Sequence, residues 1–213
     1  MPVLIIPGLN GSEREHWQSH WEREMPDACR VMQADWARPQ RDVWASRLFE
    51  EIERRPGSVL VGHSLGATLI AHVASLRPEL PIGGALLAAP ADPSPKRTDA
   101  PGVGSFAPLP TTPFRFPAIV VASRNDPHMA QMRAKHLARF WGATFVDAGA
   151  AGHINVASGH TRWPEGQLLL LRSLRTPLLP VRPVAAPTDS GVIVPLRRRP
   201  RGQPPMGDRL AAP

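Results

Sequence analysis

The chain has 213 residues, of which 42% are hydrophobic and 20% are charged, a composition that fits one globular domain with a substantial core. More than half of its formal net charge of +7 lies in residues 177–213, where six arginines stand against two aspartates. The rest of the chain is nearly balanced, which argues against a nucleic-acid-binding surface on the folded part. The single cysteine, Cys29, excludes an intrachain disulfide.

Short apolar runs alternate with helical patterns along the chain. The predicted strands are residues 3–6, 29–33, 58–62, 82–89, 118–122 and 143–146. The predicted helices are residues 12–24 with Ser12 as cap, 40–55, 67–76, 128–141, and a last helix that starts near Trp163 and includes 168–174. Residues 91–117 are rich in proline and glycine, which predicts a long loop.

The predicted strands are apolar throughout, without the polar alternation of a sheet that has one face in water. Such strands, joined by helices, predict a mostly parallel sheet of about six strands in a three-layer α/β domain. Ligands of these domains bind beyond the carboxyl ends of the strands. Because nine of the last 37 residues are proline, we expect a folded domain over residues 1–176 and a disordered tail over 177–213.

The N-terminal sequence MPVLIIPG has no basic region, and no stretch of the chain approaches the ~20 apolar residues of a membrane span. We therefore expect a cytoplasmic protein without a signal peptide and without a membrane partner. The basic run RRRPR in the predicted tail is interpreted as solvated, so no specific nucleic-acid partner is expected.

The loop after the third strand contains the pattern Gly-x-Ser-x-Gly, in the sequence VLVGHSLGAT at residues 59–68. A serine between glycines can be a plain strand-to-helix turn in which Ser64 caps the helix. Its place between an apolar strand and a helix is also that of a nucleophile elbow, where a sharp turn presents the hydroxyl to the helix N-terminus. In that arrangement the backbone N–H of Leu65 is one donor of an oxyanion hole.

A nucleophilic serine needs a base, and the base needs an acid that orients it; in this arrangement the chain order is serine, acid, histidine. Asp126 follows the strand 118–122 and is the predicted acid, although it could instead cap the next helix. Asp92 is the fallback, and Asp147 is a third choice. Both also lie near the carboxyl ends of predicted strands.

His153 is the predicted base. It lies in DAGAAGHIN, a loop after the last strand where an exposed imidazole could swing over the serine. His63 belongs to the elbow, and its side chain is expected to point away from the reaction centre. His128 is expected to be helical, and His160 is a weaker alternative base.

The loop after the first strand is expected to supply a second oxyanion donor. Its sequence is PGLNG at residues 7–11. The backbone N–H of Leu9 is the preferred donor and that of Asn10 the next. The same glycines are compatible with a simple turn.

Five motifs occur in one order: PGLNGSEREHWQSHW at 7–21, DW at 35–36, GHSLGA at 62–67, ASRNDP at 122–127 and GHIN at 152–155. This combination resembles the serine hydrolase family that includes the vertebrate retinoblastoma-binding protein 9 and YdeN-like bacterial proteins. The resemblance covers about residues 2–176 and implies a three-layer α/β-hydrolase fold without a large cap domain. By motif it implies a triad of Ser64, Asp126 and His153. The predicted tail departs from the family.

Three other patterns have competing interpretations. His16 and His20 are four residues apart, but the glutamate of a zinc-binding HExxH motif is missing, so a solvated helix face is favoured. Trp17 and Trp21 are expected to pack in the core, with the floor of an acyl pocket as the alternative. The phenylalanines of the long loop either pin it to the surface or roof the site; they are Phe106, Phe114 and Phe116.

The sequence thus predicts a serine hydrolase that cleaves a small acyl ester through an acyl-enzyme intermediate, with no cofactor and no metal. The expected partner is a small-molecule acyl substrate. Acyl transfer and amide hydrolysis would use the same residues. A non-catalytic binding module on the same fold is the competing hypothesis, and the presence of all three triad residues argues against it.

Overall fold

One parallel sheet organises the described part of the chain. The computed structural model describes residues 1–94 and 100–173. Its six strands are β1 Val3–Ile6, β2 Ala28–Arg30, β3 Ser58–His63, β4 Ile82–Ala88, β5 Ala118–Ala122 and β6 Thr144–Asp147. Its α-helices are α1 Trp17–Glu24, α2 Arg41–Arg54, α3 Leu65–Leu76, α4 Gln131–Trp141 and α5 Pro164–Ser173. The strand order is β2-β1-β3-β4-β5-β6, and all neighbouring strands are parallel.

The central strands of the sheet are buried on both faces, which confirms the predicted three-layer architecture. Along β1 and β3 the side chains alternate between two hydrophobic clusters, so that Leu4 and Leu60 face one side while Ile5 and Val61 face the other. The first cluster is completed by α2, α3 and α4, and the second by α1 and α5. The carboxyl ends of the strands therefore meet at one rim, and no further domain covers it among the described residues.

Several predicted boundaries were wrong. Helix α1 begins at Trp17 rather than at residue 12, because Ser12 donates its hydroxyl to Gln18 Oε1 (2.7 Å) while His16 caps the helix. Helix α4 begins at Gln131, so His128 lies in the preceding loop and is not helical. Strand β2 is also shorter than predicted.

The aromatic side chains of the long loop belong to the core and do not roof the site. Phe106 is fully buried and packs edge-on against Trp44, with 5.8 Å between ring centroids. Phe114 stacks on Trp141 (5.3 Å) and on Phe116 (5.1 Å). The interpretation of a loop pinned by its aromatic residues is therefore the correct one for these side chains.

Two further predictions concern the C-terminal tail and the absence of a membrane span. The predicted tail, residues 177–213, lies outside the described residues. Within the described ranges, no helix has the length and apolar composition needed to cross a membrane.

Replacing Phe106 by alanine should lower the free energy of unfolding by about 3–5 kcal/mol, because it removes a fully buried ring. The matched control is Phe140→Ala: this ring is 56% exposed on α4, and its removal should change stability by less than about 0.5 kcal/mol. Urea denaturation followed by circular dichroism measures both. Equal losses in the two variants would contradict the placement of the loop in the core.

Candidate active site

Ser64 sits on a sharp turn between β3 and α3. Its backbone has φ 55° and ψ −120°, a region that residues other than glycine rarely adopt, and this costs on the order of 1–3 kcal/mol. Its side chain makes no capping hydrogen bond to α3, so the plain helix-cap interpretation is wrong. The hydroxyl is left available for other partners.

The flanking glycines allow this turn because other backbone passes close to it. A Cβ on Gly66 would overlap the carbonyl oxygen of Ile6 and would lie 2.6 Å from that of Pro7. A Cβ on Gly62 would lie 2.7 Å from the backbone of Ala67. Only glycine fits at either position without moving β1 or α3.

The structure brings Ser64, His153 and Asp126 together in a hydrogen-bonded row. His153 Nε2 lies 2.8 Å from Ser64 Oγ, and His153 Nδ1 lies 2.9 Å from Asp126 Oδ2 and 3.0 Å from Oδ1. A carboxylate only accepts hydrogen bonds, so Nδ1 carries the proton and the Nε2 lone pair faces the hydroxyl. This is the geometry required to remove a proton from Ser64.

His153 is buried and held in place, in contrast to the exposed, swinging imidazole expected from the sequence. His63 Nε2 donates to the carbonyl of His153 (2.8 Å), and Trp17 Nε1 donates to that of Ile154 (2.9 Å). On the other side, the backbone N–H of Gly152 donates to Asn125 Oδ1 (2.8 Å). The expectation that His63 points away from the reaction centre was therefore wrong.

The other candidate acids and bases have different partners. Asp92 pairs with Arg133 (3.0 Å), and Asp147 pairs with Arg124 (2.8 Å). His160 Nδ1 lies 3.2 Å from Ser158 Oγ. Asp126 also accepts from the backbone N–H of His128 (2.8 Å), so it caps the local turn while it contacts His153.

The segment after β1 lies beside the serine, as the predicted oxyanion site requires. A Cβ on Gly8 would lie 2.8 Å from Ser64 Cβ and 3.0 Å from the backbone nitrogen of Leu65, and Leu9 borders the same space. Leu65 is the first residue of α3, where backbone N–H groups have no partner within the helix. The N–H of Asn10 donates to the carbonyl of Trp36 (2.8 Å). This N–H is already bonded, so Asn10 is withdrawn as a candidate donor to the oxyanion.

A cavity of about 250 Å³ opens over Ser64. Its lining comes from the carboxyl ends of the strands and from the segments that follow them: Gly8, Leu9, Gly11, Glu13, His16, His63, Ser64, Leu65, Ala91, Asp92, Val103, His128, His153 and Asn155. Trp17 and Trp21 are absent from this lining and pack in the core behind it. Among the described residues, no group of three or more side chains could hold a metal ion.

Comparison with known proteins identifies the family of the chain. Residues 3–172 match the serine hydrolase family. The chain belongs to this family. A YdeN-like hydrolase from Pectobacterium atrosepticum has 35% sequence identity and a TM-score of 0.71, with 81% of this chain and 90% of that chain covered.

More distant structures share the α/β-hydrolase fold, which is thereby confirmed for this serine hydrolase. The ydeN gene product of B. subtilis has 20% identity and a TM-score of 0.66 over 82% of this chain and 99% of that chain. A monoacylglycerol lipase from Paleococcus ferrophilus has 11% identity and a TM-score of 0.64 over 81% and 93%. Comparison with the curated proteins gives no match.

The hydrolase surrounds His153 with imidazoles whose pKa values are lowered. Burial, together with Arg30 and His153, lowers the pKa of His16 to about 4. Burial and the neighbouring rings of His153 and His16 bring the pKa of His63 well below its usual range. Burial and His153 also lower the pKa of His128. These three rings are therefore uncharged at neutral pH.

Sequence reasoning missed His16 and His63 as neighbours of the site. His16 was expected on a solvated helix face, yet only 3% of it is exposed. The sequence did contain a signal for His63. Side chains alternate along β3, so His63 lies on the same face of the sheet as Val61, and α1 and the loop of His153 pack against that face.

The buried, neutral His16 predicts a loss of stability in acid. Its pKa is about 4 in the folded protein and 6.5 in the unfolded chain, so between these values the unfolded chain binds a proton that the folded protein does not. This contribution to stability is complete above pH 6.5 and is lost as the pH falls towards 4. Between pH 7 and pH 5 the loss is about 2 kcal/mol.

Urea denaturation at the two pH values, in the wild type and in His16→Asn, isolates this contribution. The asparagine does not titrate, so the variant should lose less stability on acidification. The same pH dependence in both proteins would contradict the burial of His16.

Proposed function

We propose that this serine hydrolase is a carboxylesterase that cleaves small acyl esters, with Ser64 as nucleophile, His153 as general base and acid, and Asp126 as the group that orients His153. The row of hydrogen bonds from Ser64 Oγ through the His153 ring to the Asp126 carboxylate carries the proposal. Membership of the serine hydrolase family supports it.

In the proposed reaction, Ser64 Oγ attacks the ester carbonyl as its proton moves to His153 Nε2. The charge on the carbonyl oxygen is held by the backbone N–H groups of Leu65 and Leu9, and such a donor is typically worth about 3–4 kcal/mol in the transition state. Collapse of the intermediate breaks the bond to the alcohol, which takes the proton from Nε2. Water, deprotonated by His153, then releases the carboxylic acid and regenerates Ser64.

The size and lining of the cavity support a small substrate. Its volume of about 250 Å³ has to receive both the acyl group and the start of the alcohol. The site needs neither a cofactor nor a metal for this chemistry, since nucleophile, base and oxyanion donors all come from the chain.

A fluorophosphonate probe should label the wild type and fail to label Ser64→Ala, because only the activated hydroxyl attacks phosphorus. In-gel fluorescence measures labelling, and circular dichroism controls for folding. Equal labelling of the two proteins would overturn the assignment of Ser64.

Asp126→Asn should lower kcat for p-nitrophenyl butyrate by about 10⁴-fold, because His153 loses the carboxylate that fixes its tautomer. The matched control is Asp147→Asn: this carboxylate is exposed at the end of β6 and pairs with Arg124, so the rate should stay within about twofold of wild type. A similar loss in both variants would contradict the proposed acid.

The enzyme should also discriminate between acyl chains. We expect kcat/KM for p-nitrophenyl butyrate to exceed that for the decanoate by about tenfold, because the longer chain extends beyond the cavity. Initial rates at subsaturating concentrations measure this ratio. A preference for the decanoate would contradict a small-acyl specificity.

A further inference from the structure

His16 borders the cavity over Ser64 without taking part in the proposed proton transfer. It lies at the N-terminus of α1, where it is almost fully buried between the cavity and the rings of Trp17 and His63. The centroids of the His16 and His63 rings are 4.8 Å apart, and those of His63 and His153 are 4.9 Å apart. The His63 ring thus neighbours both His16 and the proposed base, His153.

The hydrogen bonds of His16 determine which nitrogen carries its proton. The backbone N–H of Gln18 donates to His16 Nδ1 (3.1 Å), so Nδ1 presents its lone pair. The ring is neutral at physiological pH, as described above, and its one proton is therefore on Nε2. Nδ1 is turned towards the helix, and Nε2, across the ring, is the donor left for another group.

The described residues offer this donor no partner. Nε2 of His16 is buried and makes no hydrogen bond with any described residue. The nearby Arg30 is already bonded to Glu22 and to Ser19 Oγ, and it could not accept a hydrogen bond in any case. His63 uses its Nε2 for the carbonyl of His153 and forms no hydrogen bond with His16. A buried N–H without an acceptor is costly and uncommon, and a substrate in the adjoining cavity could supply the acceptor.

The lining of the cavity indicates the chemistry of that ligand. Glu13 and Asp92 both border the cavity, and none of its described lining residues is a lysine or an arginine. Asp92 is paired with Arg133 (3.0 Å), so a carboxylate or phosphate would meet the Glu13 carboxylate and only a neutral donor. An uncharged oxygen, such as that of an ether, hydroxyl or carbonyl group, meets no such repulsion.

We propose that His16 is a specificity-determining residue whose Nε2–H donates a hydrogen bond to an uncharged oxygen of the substrate, located in its acyl or alcohol part and distinct from the oxygens of the scissile ester. The proposal rests on the esterase function proposed above. It predicts that the enzyme prefers esters with an additional oxygen in the acyl or alcohol part to simple alkyl esters.

Pairs of esters that differ by one oxygen test the proposal. In the acyl pair, p-nitrophenyl methoxyacetate is compared with p-nitrophenyl butyrate; in the alcohol pair, 2-methoxyethyl butyrate is compared with butyl butyrate in a pH-stat. Each pair replaces one CH₂ by an oxygen at nearly constant size. The measured quantity is the ratio of kcat/KM for the oxygen-bearing ester to that for its alkyl counterpart, and dividing the wild-type ratio by the variant ratio removes the difference in intrinsic reactivity.

Two variants of His16 separate its hydrogen bonds. In His16→Asn the short side chain can still accept from the Gln18 N–H and cap α1, but it does not reach the position of Nε2. In His16→Gln the longer amide places an N–H donor near that position and gives up the cap. The wild-type ratio should fall about fivefold in His16→Asn for at least one pair and stay within about twofold in His16→Gln.

Each outcome decides the proposal. A fall in the acyl pair places the recognised oxygen in the acid, and a fall in the alcohol pair places it in the leaving group. Unchanged ratios for both pairs in His16→Asn would overturn the proposal, as would equal falls in both variants, since the glutamine retains the donor. Hydrolysis of butyrate by wild type but not by Ser64→Ala tests the esterase function separately: its absence would overturn both proposals, whereas hydrolysis with unchanged ratios would overturn only the role of His16.

Discussion

The backbone of Gly66 lies directly against the end of β1, and the site depends on this contact. A side chain there would overlap the carbonyl oxygen of Ile6, so α3 could not begin where it does. The contact lets β3 turn sharply at Ser64 and places the segment of Gly8 and Leu9 next to the first turn of α3. The proposed nucleophile and the backbone groups proposed to hold the oxyanion are therefore positioned by the same close packing of main chain.

The second constraint is the fixation of His153. Its loop is tied to the elbow strand through His63 and to α1 through Trp17, while its ring is tied to Asp126. The surrounding imidazoles of His16, His63 and His128 have lowered pKa values. Because these rings stay neutral, none of them carries a charge that would oppose the positive charge on His153 in the proposed transfer of the serine proton.

Much of the fold could be predicted from the pattern of apolar residues. The apolar runs at 3–6 and 118–122 form β1 and β5 with the predicted bounds, because a strand buried on both faces consists of a continuous run of apolar residues. Helix starts were harder to predict. Ser12 is a residue type typical of a helix cap, yet its hydroxyl bonds to the Gln18 side chain, and His16 caps α1 instead. Nearby donors and acceptors compete for the same partners, and helix propensities do not predict which pair forms.

The order of motifs along the chain predicts the class of protein and the triad of Ser64, Asp126 and His153, because each motif combines a strand end with the residue type that the chemistry needs there. The environment of these residues follows only from contacts between segments distant in sequence. His16 became a buried neighbour of the site and Asn10 was lost as a donor because the loop after β1 packs against the elbow and against Trp36, which no local pattern reveals. Burial and hydrogen-bond partners are properties of the assembled fold, and they decide whether a histidine is a charged surface residue or a neutral, buried neighbour of the site.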